Sequence, residues 1–149
     1  MAPYYPPVGF HFRVEFNLDG LKDGDVRFQE VSGLSAELGV EEVTEGGENR
    51  FAHRLPARAK YSNLTLKRGL LTESRLIDWC KNAIENFDFE PTTVNVTLLN
   101  ENHEPLADTL SFIRAWPVKW TVSDFKAQDN GLVVETLELT YNYLSRISA

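Results

Sequence analysis

From Val8 to Leu18 the chain alternates without interruption. Val8, Phe10, Phe12, Val14, Phe16 and Leu18 are apolar, and Gly9, His11, Arg13, Glu15 and Asn17 stand between them. A side-chain period of two belongs to a strand with one face on a core and the other in water, and no helix satisfies it. The chain closes in the same way. In a strand expected from Leu132 to about Leu144, Leu137, Leu139, Tyr141 and Tyr143 share one face and Thr136, Glu138, Thr140 and Asn142 the other. Any fold of this sequence is therefore built on a sheet that is dry on one side.

The intervening elements fit that frame. Asp19 to Asp25 is turn chemistry leading to a second strand near Val26–Val31, and Ser32 to Val40 is a break followed by another extended piece. Asp19, Asp23, Gly24 and Glu30 fall on four places of a calcium-loop template, but Leu21 stands where a ligand is needed and no helical pattern flanks the loop, so it reads as a hairpin turn. Leu64 to Gly69 alternates as a strand. A helix follows, with Thr72 as N-cap, Glu73 near its positive end, and Leu76, Cys80, Ala83, Ile84 and Phe87 as its core stripe, Ile77 beside them and Trp79 at the flank, facing a subunit contact. Val94, Val96 and Leu98 mark the next strand, and Asn100 to Pro105 a turn. Leu106 to Trp120 reads as two strand pieces split at Pro117, and Asp129-Asn130-Gly131 as a hairpin turn. The sum is about seven strands and one helix in a single α+β domain, mainly antiparallel β, a barrel or sandwich closed by one flanking helix.

One stretch breaks the pattern. Residues 41 to 48 carry four Glu and no base, whereas residues 50 to 68 carry Arg50, Arg54, Arg58, Lys60, Lys67 and Arg68 and no acid. Gly46-Gly47 frees the backbone and Pro56 cannot donate to a ladder, so the segment is expected to be a long extended loop. Phe51, Leu55 and Tyr61 are spaced through it and would be costly to leave in water. The loop reads as an arm ordered by a partner.

With 42% hydrophobic and 25% charged residues, 149 residues suffice for one core without staples. A net charge of −7 argues against bulk affinity for nucleic acid and sets the basic arm against an acidic body, its own or a neighbour's, which favours self-association. The single cysteine, Cys80, rules out an intrachain disulfide and fits a reducing compartment; it sits in the helix's apolar stripe as an inert packed thiol. Met1 to Pro7 has neither a basic nor an apolar signal region, and nothing approaches a membrane span.

Catalytic patterns do not emerge. His11, His53 and His103 are isolated from one another and from Cys80, and there is no nucleophile elbow, Walker loop or dinucleotide fingerprint. No cofactor or metal is expected. Two other classes make distinguishable demands: a monomeric β-barrel ligand-binding module needs an apolar cavity, and a hydrolase needs a cleft with converging titratable groups.

Three stretches in order carry a resemblance. They are Pro6 to Val14 with Phe28 to Leu34 at the start; Glu45-Gly46-Gly47, Asn49, Leu55-Pro56, Lys60-Tyr61 and Asn63 to Gly69 in the middle; and Val134 to Tyr141 at the end. Together they resemble the contractile phage tail tube protein family, and the tyrosine-rich Tyr141 to Leu144 is closer to the branch that supplies inner tubes of phage-tail-like extracellular contractile injection systems. The resemblance implies a β-barrel or sandwich with an attached helix, whose hexameric rings stack into a rigid hollow conduit inside a contractile sheath. A specialised baseplate-proximal tube subunit is the alternative within the family.

It further implies partners. These are other copies of the chain, the sheath protein, baseplate or hub and tail-terminator proteins, and cargo or DNA in the lumen, with no membrane binding by the subunit itself. Synthesis in the cytoplasm would precede release in a virion tail or extracellular particle. The arm residues Glu45, Gly46, Gly47, Glu48, Asn49, Arg50, Arg54, Leu55, Pro56, Arg58, Lys60 and Tyr61 are then expected at inter-subunit contacts. The polar strand positions Asn95, Thr97, Thr136, Glu138, Thr140 and Asn142 are expected to face the lumen.

Overall fold

The opening alternation becomes β1 (His11–Phe16), whose Val14 and Phe16 are buried while Arg13 and Glu15 are exposed. The computed structural model describes residues 11–21, 27–44, 46–47, 52–70, 74–100, 102, 104–105, 108–123 and 133–147. Val8 to Phe10, Val26, Thr72, Glu73 and the Asp129-Asn130-Gly131 turn lie outside them. The remaining elements are β2 (Glu30–Ser32), β3 (Ala36–Val43), β4 (His53–Tyr61), β5 (Leu64–Gly69), α1 (Arg75–Asn86), β6 (Thr92–Leu99), β7 (Thr109–Val122), β8 (Val134–Thr140) and β9 (Tyr143–Ile147).

All strand pairs are antiparallel. A seven-stranded sheet runs β1-β6-β7-β8-β5-β2, with β9 also on β7, and curls into a half-barrel; β3 and β4 form a separate two-stranded sheet. The arm is therefore not the irregular loop its glycines and proline predict. Pro56 sits opposite Val40 inside β4, next to a register shift in the β3–β4 pairing and, among the described residues, on a strand with one neighbour only, where a proline is tolerated.

The segment from Leu106 to Trp120 also differs from expectation, since β7 is one strand of 14 residues. Its first half pairs β6 and its second half β8. Pro117 does not end the strand because its register shifts there, between Pro117 and Lys119. Conversely, the expected strand to Leu144 is interrupted at Tyr141-Asn142, and β8 and β9 continue along the same edge of β7, from Val122↔Glu135 to Thr109↔Ile147. Buried residues step from Phe112 to Ala115 on β7, where Arg114 holds a left-handed φ of 54°, and the core contacts step from Tyr141 to Leu144 on the partner. Each strand gains a residue at the same point, so the sheet bends and keeps one face dry throughout.

The dry face carries Val14, Leu64, Leu66, Val94, Phe112, Leu137 and Leu139, each at most 1% exposed. The helix closes it with Leu76, Trp79, Cys80 and Ala83, at the spacing that puts four residues on one stripe. Trp79 is thus core, not a subunit contact: its ring meets Phe16 edge-on at 5.9 Å and its Nε1 donates to Glu90 O at 2.7 Å. Ile84 and Phe87, expected in the stripe, are 53% and 82% exposed. The stripe turns toward Trp79 because an indole fills the concave sheet where a smaller side chain would leave a void. The N-cap is Ser74, and its hydroxyl accepts from Arg68 Nη2 instead of capping the helix.

Candidate functional site

Two surfaces remain after the core is closed: the hairpin and the wet face of the sheet. The hairpin is held at its base. Gly33, at φ 84°, brings its backbone against Asn63 O, Ser35 and Ser62 share a hydroxyl bond of 2.7 Å, and Tyr61 stacks tilted against Tyr141 at 5.8 Å. Tyr141 in turn donates to Ser62 O at 2.7 Å; burial first, and Tyr61 second, raise its phenol above the ordinary range.

Beyond that base, nearly every residue of β3 and β4 is exposed. The pairing sorts the side chains. Ala36, Leu38, Val40 and Glu42 face the same way as Tyr61, Ala59, Pro56 and Arg54, so one face is apolar up to a charged tip. Leu38 and Val40 are 65% and 62% exposed.

The charge separation along the sequence folds back on itself here. Arg54 Nε lies 3.7 Å from Glu42 Oε1, and Lys60 stands opposite Glu37. What reads as a dipole along the chain is in part a set of cross-strand pairs. Of the residues expected at contacts, Arg54, Leu55, Pro56, Arg58, Lys60 and Tyr61 come together on β4, and Gly46 and Gly47 fall in the turn region, Gly47 at φ 91° with open space around it. Glu45, Glu48, Asn49 and Arg50 lie outside the described residues.

Two basic residues assigned to the arm belong elsewhere. Lys67 is on the wet face of β5, 3.5 Å from Glu30. Arg68 is buried on the dry face, paired with Glu135. The signal for this pair is present in the alternation, since Leu64, Leu66 and Arg68, like Glu135, Leu137 and Leu139, occupy core parity; only the cross-strand register makes them partners.

The wet face gathers the residues expected to line a lumen, with one correction. Thr136, Glu138 and Thr140 are half-buried on β8 opposite the core parity, and Asn95 lies on the corresponding face of β6. Thr97 shares that face but is 1% exposed, its hydroxyl bonded to that of Thr109 at 2.9 Å, so it offers no surface to a channel. Asn142 is exposed in the break between β8 and β9, its N–H donating to Ile113 O.

Chemistry is sparse. Among the described residues no three His, Cys, Asp or Glu side chains group to hold a metal. Among the described residues two clefts are largely apolar. One of about 270 Å³ lies between α1 and Trp120, and one of about 380 Å³ lies at the open side of the half-barrel, lined by Phe12, Val31, Leu34, Leu98 and Leu110. Among the described residues no helix is long and apolar enough to cross a membrane.

Known proteins share this arrangement. No curated protein matches the chain. Among solved structures, a chain of the anti-feeding prophage baseplate, 6-fold symmetrised, is 31% identical over 97% of both chains with a TM-score of 0.86. A chain of the anti-feeding prophage tube-terminating cap is 25% identical, covering 100% of this chain and 95% of that one, with a TM-score of 0.81. The fold also matches a chain of the PVC sheath–tube complex in its extended state, at 24% identity over 98% and 94% with a TM-score of 0.81. Hcp1 from Flavobacterium johnsoniae shares the fold more distantly, at 15% identity, 94% and 97% coverage and a TM-score of 0.54. The model of the T4-like virus tail tube protein gp19 matches residues 8–145, nearly the whole of a chain whose dry-faced sheet, closing helix and projecting hairpin are those just described: it is a member of the tail tube protein family of contractile injection systems.

Proposed function

We propose that the chain is a structural subunit, acting as one domain and without catalysis, whose rings stack into the inner conduit of a phage-tail-like contractile injection system. The observation that carries this is the hairpin. An isolated two-stranded sheet is marginal in water, yet this one projects with Leu38 and Val40 bare on its apolar face. A second copy of the chain that covers them supplies the missing layer. The hairpin residues from Gly46 to Tyr61 are then the contact surface, with Arg54, Arg58 and Lys60 at its polar margin.

Stacking is head-to-tail and does not close, so one complementary pair of surfaces yields a tube of any length. A ring that continues each sheet into the next hides the edges that β1 and β2 form among the described residues. The wet face, with Asn95, Thr136, Glu138, Thr140 and Asn142, looks into the bore. Sheath, baseplate and terminator proteins are the expected neighbours, by analogy with the assemblies in which the similar chains were solved. The particle would act outside the cell that makes it.

A baseplate-proximal position is the second reading, favoured by the higher identity to a chain of the baseplate assembly, 31% against 25% for the cap. Electron microscopy of the purified chain separates the readings. Long hollow tubes of uniform bore support a main tube, isolated rings support the baseplate position, and particles that stay monomeric at high concentration refute both.

A further inference from the structure

We infer that the groove at the open side of the half-barrel is the seat for the hairpin of a second copy of the chain; this rests on the reading that copies stack with the hairpin as their contact. The groove, of about 380 Å³, has Phe12 of β1 and Val31 of β2 among its lining, and those are the two strands that end the curled sheet among the described residues. Leu98 and Leu110 line it too, and both have core parity, Leu98 opposite Phe12 and Leu110 opposite Val96. The groove is thus a part of the dry face that the sheet's own curl leaves open. Leu34, which also lines it, is 43% exposed.

The hairpin carries the matching surface. Leu38, Val40, Pro56 and Ala59 share one face, which stops at Glu42 and Arg54, 3.7 Å apart. A chain does not seat its own hairpin: the strands leave the body after Gly33, beside the groove's Leu34, and Leu38 and Val40 stay 65% and 62% exposed. One molecule therefore holds a bare apolar ridge and a bare apolar groove unjoined, and a second copy joins them through two different surfaces, the kind of contact that propagates. The charges correspond as well, because the groove ends in a pair of its own, Asp108 with Arg146. Seated with Glu42 toward Arg146 and Arg54 toward Asp108, each charge meets a second opposite; the reverse seating sets like charges together. The cleft between α1 and Trp120 fits less well, being smaller, about 270 Å³, with Lys81 and Glu85 in its lining.

The test has two arms, both on the full chain. In the first, Val40→Cys chains are mixed with Leu34→Cys chains, assembled and oxidised; native Cys80 is buried, its thiol pushed up to about 12, and stays silent at neutral pH. Each chain then has one reactive thiol, so any disulfide joins two copies. The mixed dimer should exceed by about tenfold that formed when Ile84→Cys, at the other cleft, replaces Leu34→Cys. The second arm reverses charge pairs without breaking them. Glu42→Arg with Arg54→Glu keeps the hairpin's own pair, and Asp108→Arg with Arg146→Glu keeps the groove's, so subunit stability should hold in every variant. Either reversal alone sets like charges together and should raise the critical concentration for tubes about tenfold, and all four substitutions in one chain should restore it. Tubes in which Val40→Cys links to Ile84→Cys or to itself, or reversals that neither weaken nor restore assembly, overturn the groove as the seat while stacking stands. A native chain that forms neither rings nor tubes at high concentration overturns the stacking reading and the seat with it.

Discussion

Arg68 Nε lies 2.8 Å from Glu135 Oε2, and the two side chains, cross-strand partners of β5 and β8, are 1% and 0% exposed. The carboxylate's other oxygen accepts from Trp120 Nε1 at 2.6 Å, while Arg68 Nη2 donates to Ser74 and the guanidinium lies 5.3 Å from the centre of the Phe28 ring. Two ions in the core are tolerable because each is the other's partner and both carboxylate oxygens accept a hydrogen bond. Removing one partner strands the other. Glu135→Gln or Arg68→Met alone should lower the stability of the unassembled subunit by about 3–5 kcal/mol, and the double replacement Arg68→Met with Glu135→Leu by clearly less than either. Urea unfolding of the four proteins checks this, and additive losses would contradict it.

The same network acts on Cys80. Burial chiefly, and the Glu135 carboxylate next, push its thiol up to about 12, with Arg68 opposing. An unfolded thiol titrates near 8.5. Between those values the folded chain keeps a proton that the unfolded chain has lost, so stability is full below about pH 8.5 and falls as pH rises toward 12. Compared with Cys80→Ala, the native chain should lose about 2 kcal/mol more between pH 8 and pH 10.5. Thermal unfolding across that range reads it, and parallel curves would show the thiol to be less shielded.

Gly33 decides where the hairpin leaves the body. A Cβ there would stand 1.9 Å from Asn63 O, and the backbone holds φ at 84°. Gly33→Ala should cost about 2–4 kcal/mol, through both the collision and the left-handed backbone. Gly46→Ala, with nothing within 4 Å of its Cβ, is the matched control and should leave the melting temperature in place.

The hairpin's apolar face should matter to assembly and not to folding. Leu38→Glu with Val40→Glu alters side chains that are 65% and 62% exposed, so the subunit should melt within about 0.5 kcal/mol of the native chain while tubes fail to form in micrographs. Arg54→Glu with Arg58→Glu forgoes an exposed pair worth at most about 1 kcal/mol and should also leave the subunit folded. Weakened assembly is expected of the second variant too; native-like tubes from the first would show that the hairpin is not the contact, and from the second that its charges play no part in it.

Most strands and their parities were legible in the chain itself. Val14 and Phe16 at one end, and Leu137, Leu139 and Tyr141 at the other, are buried where alternation puts them. Alternation is a local property: each side chain's face follows from its neighbour's, whatever the strand pairs with. The tail tube resemblance likewise lay in short motifs in order, which need no coordinates to compare.

The rest depended on which distant residues meet. Glycines and a proline announce a loop only until another strand takes up the free backbone groups, and β3 does so for β4, with Pro56 beside a register shift. Periodicity alone extends the helix stripe to Ile84 and Phe87 and leaves Trp79 at its flank, because only the concavity of the sheet shows which bulky side chain it can swallow. Arg68 reads as part of a basic arm, and Thr97 as a channel wall, since sequence orders residues along a line whereas the ladder brings Glu135 to one and Thr109 to the other. Local periodicity thus determined the strands and their two faces; register and curvature, which come from contacts far apart in the chain, decided what each face is for.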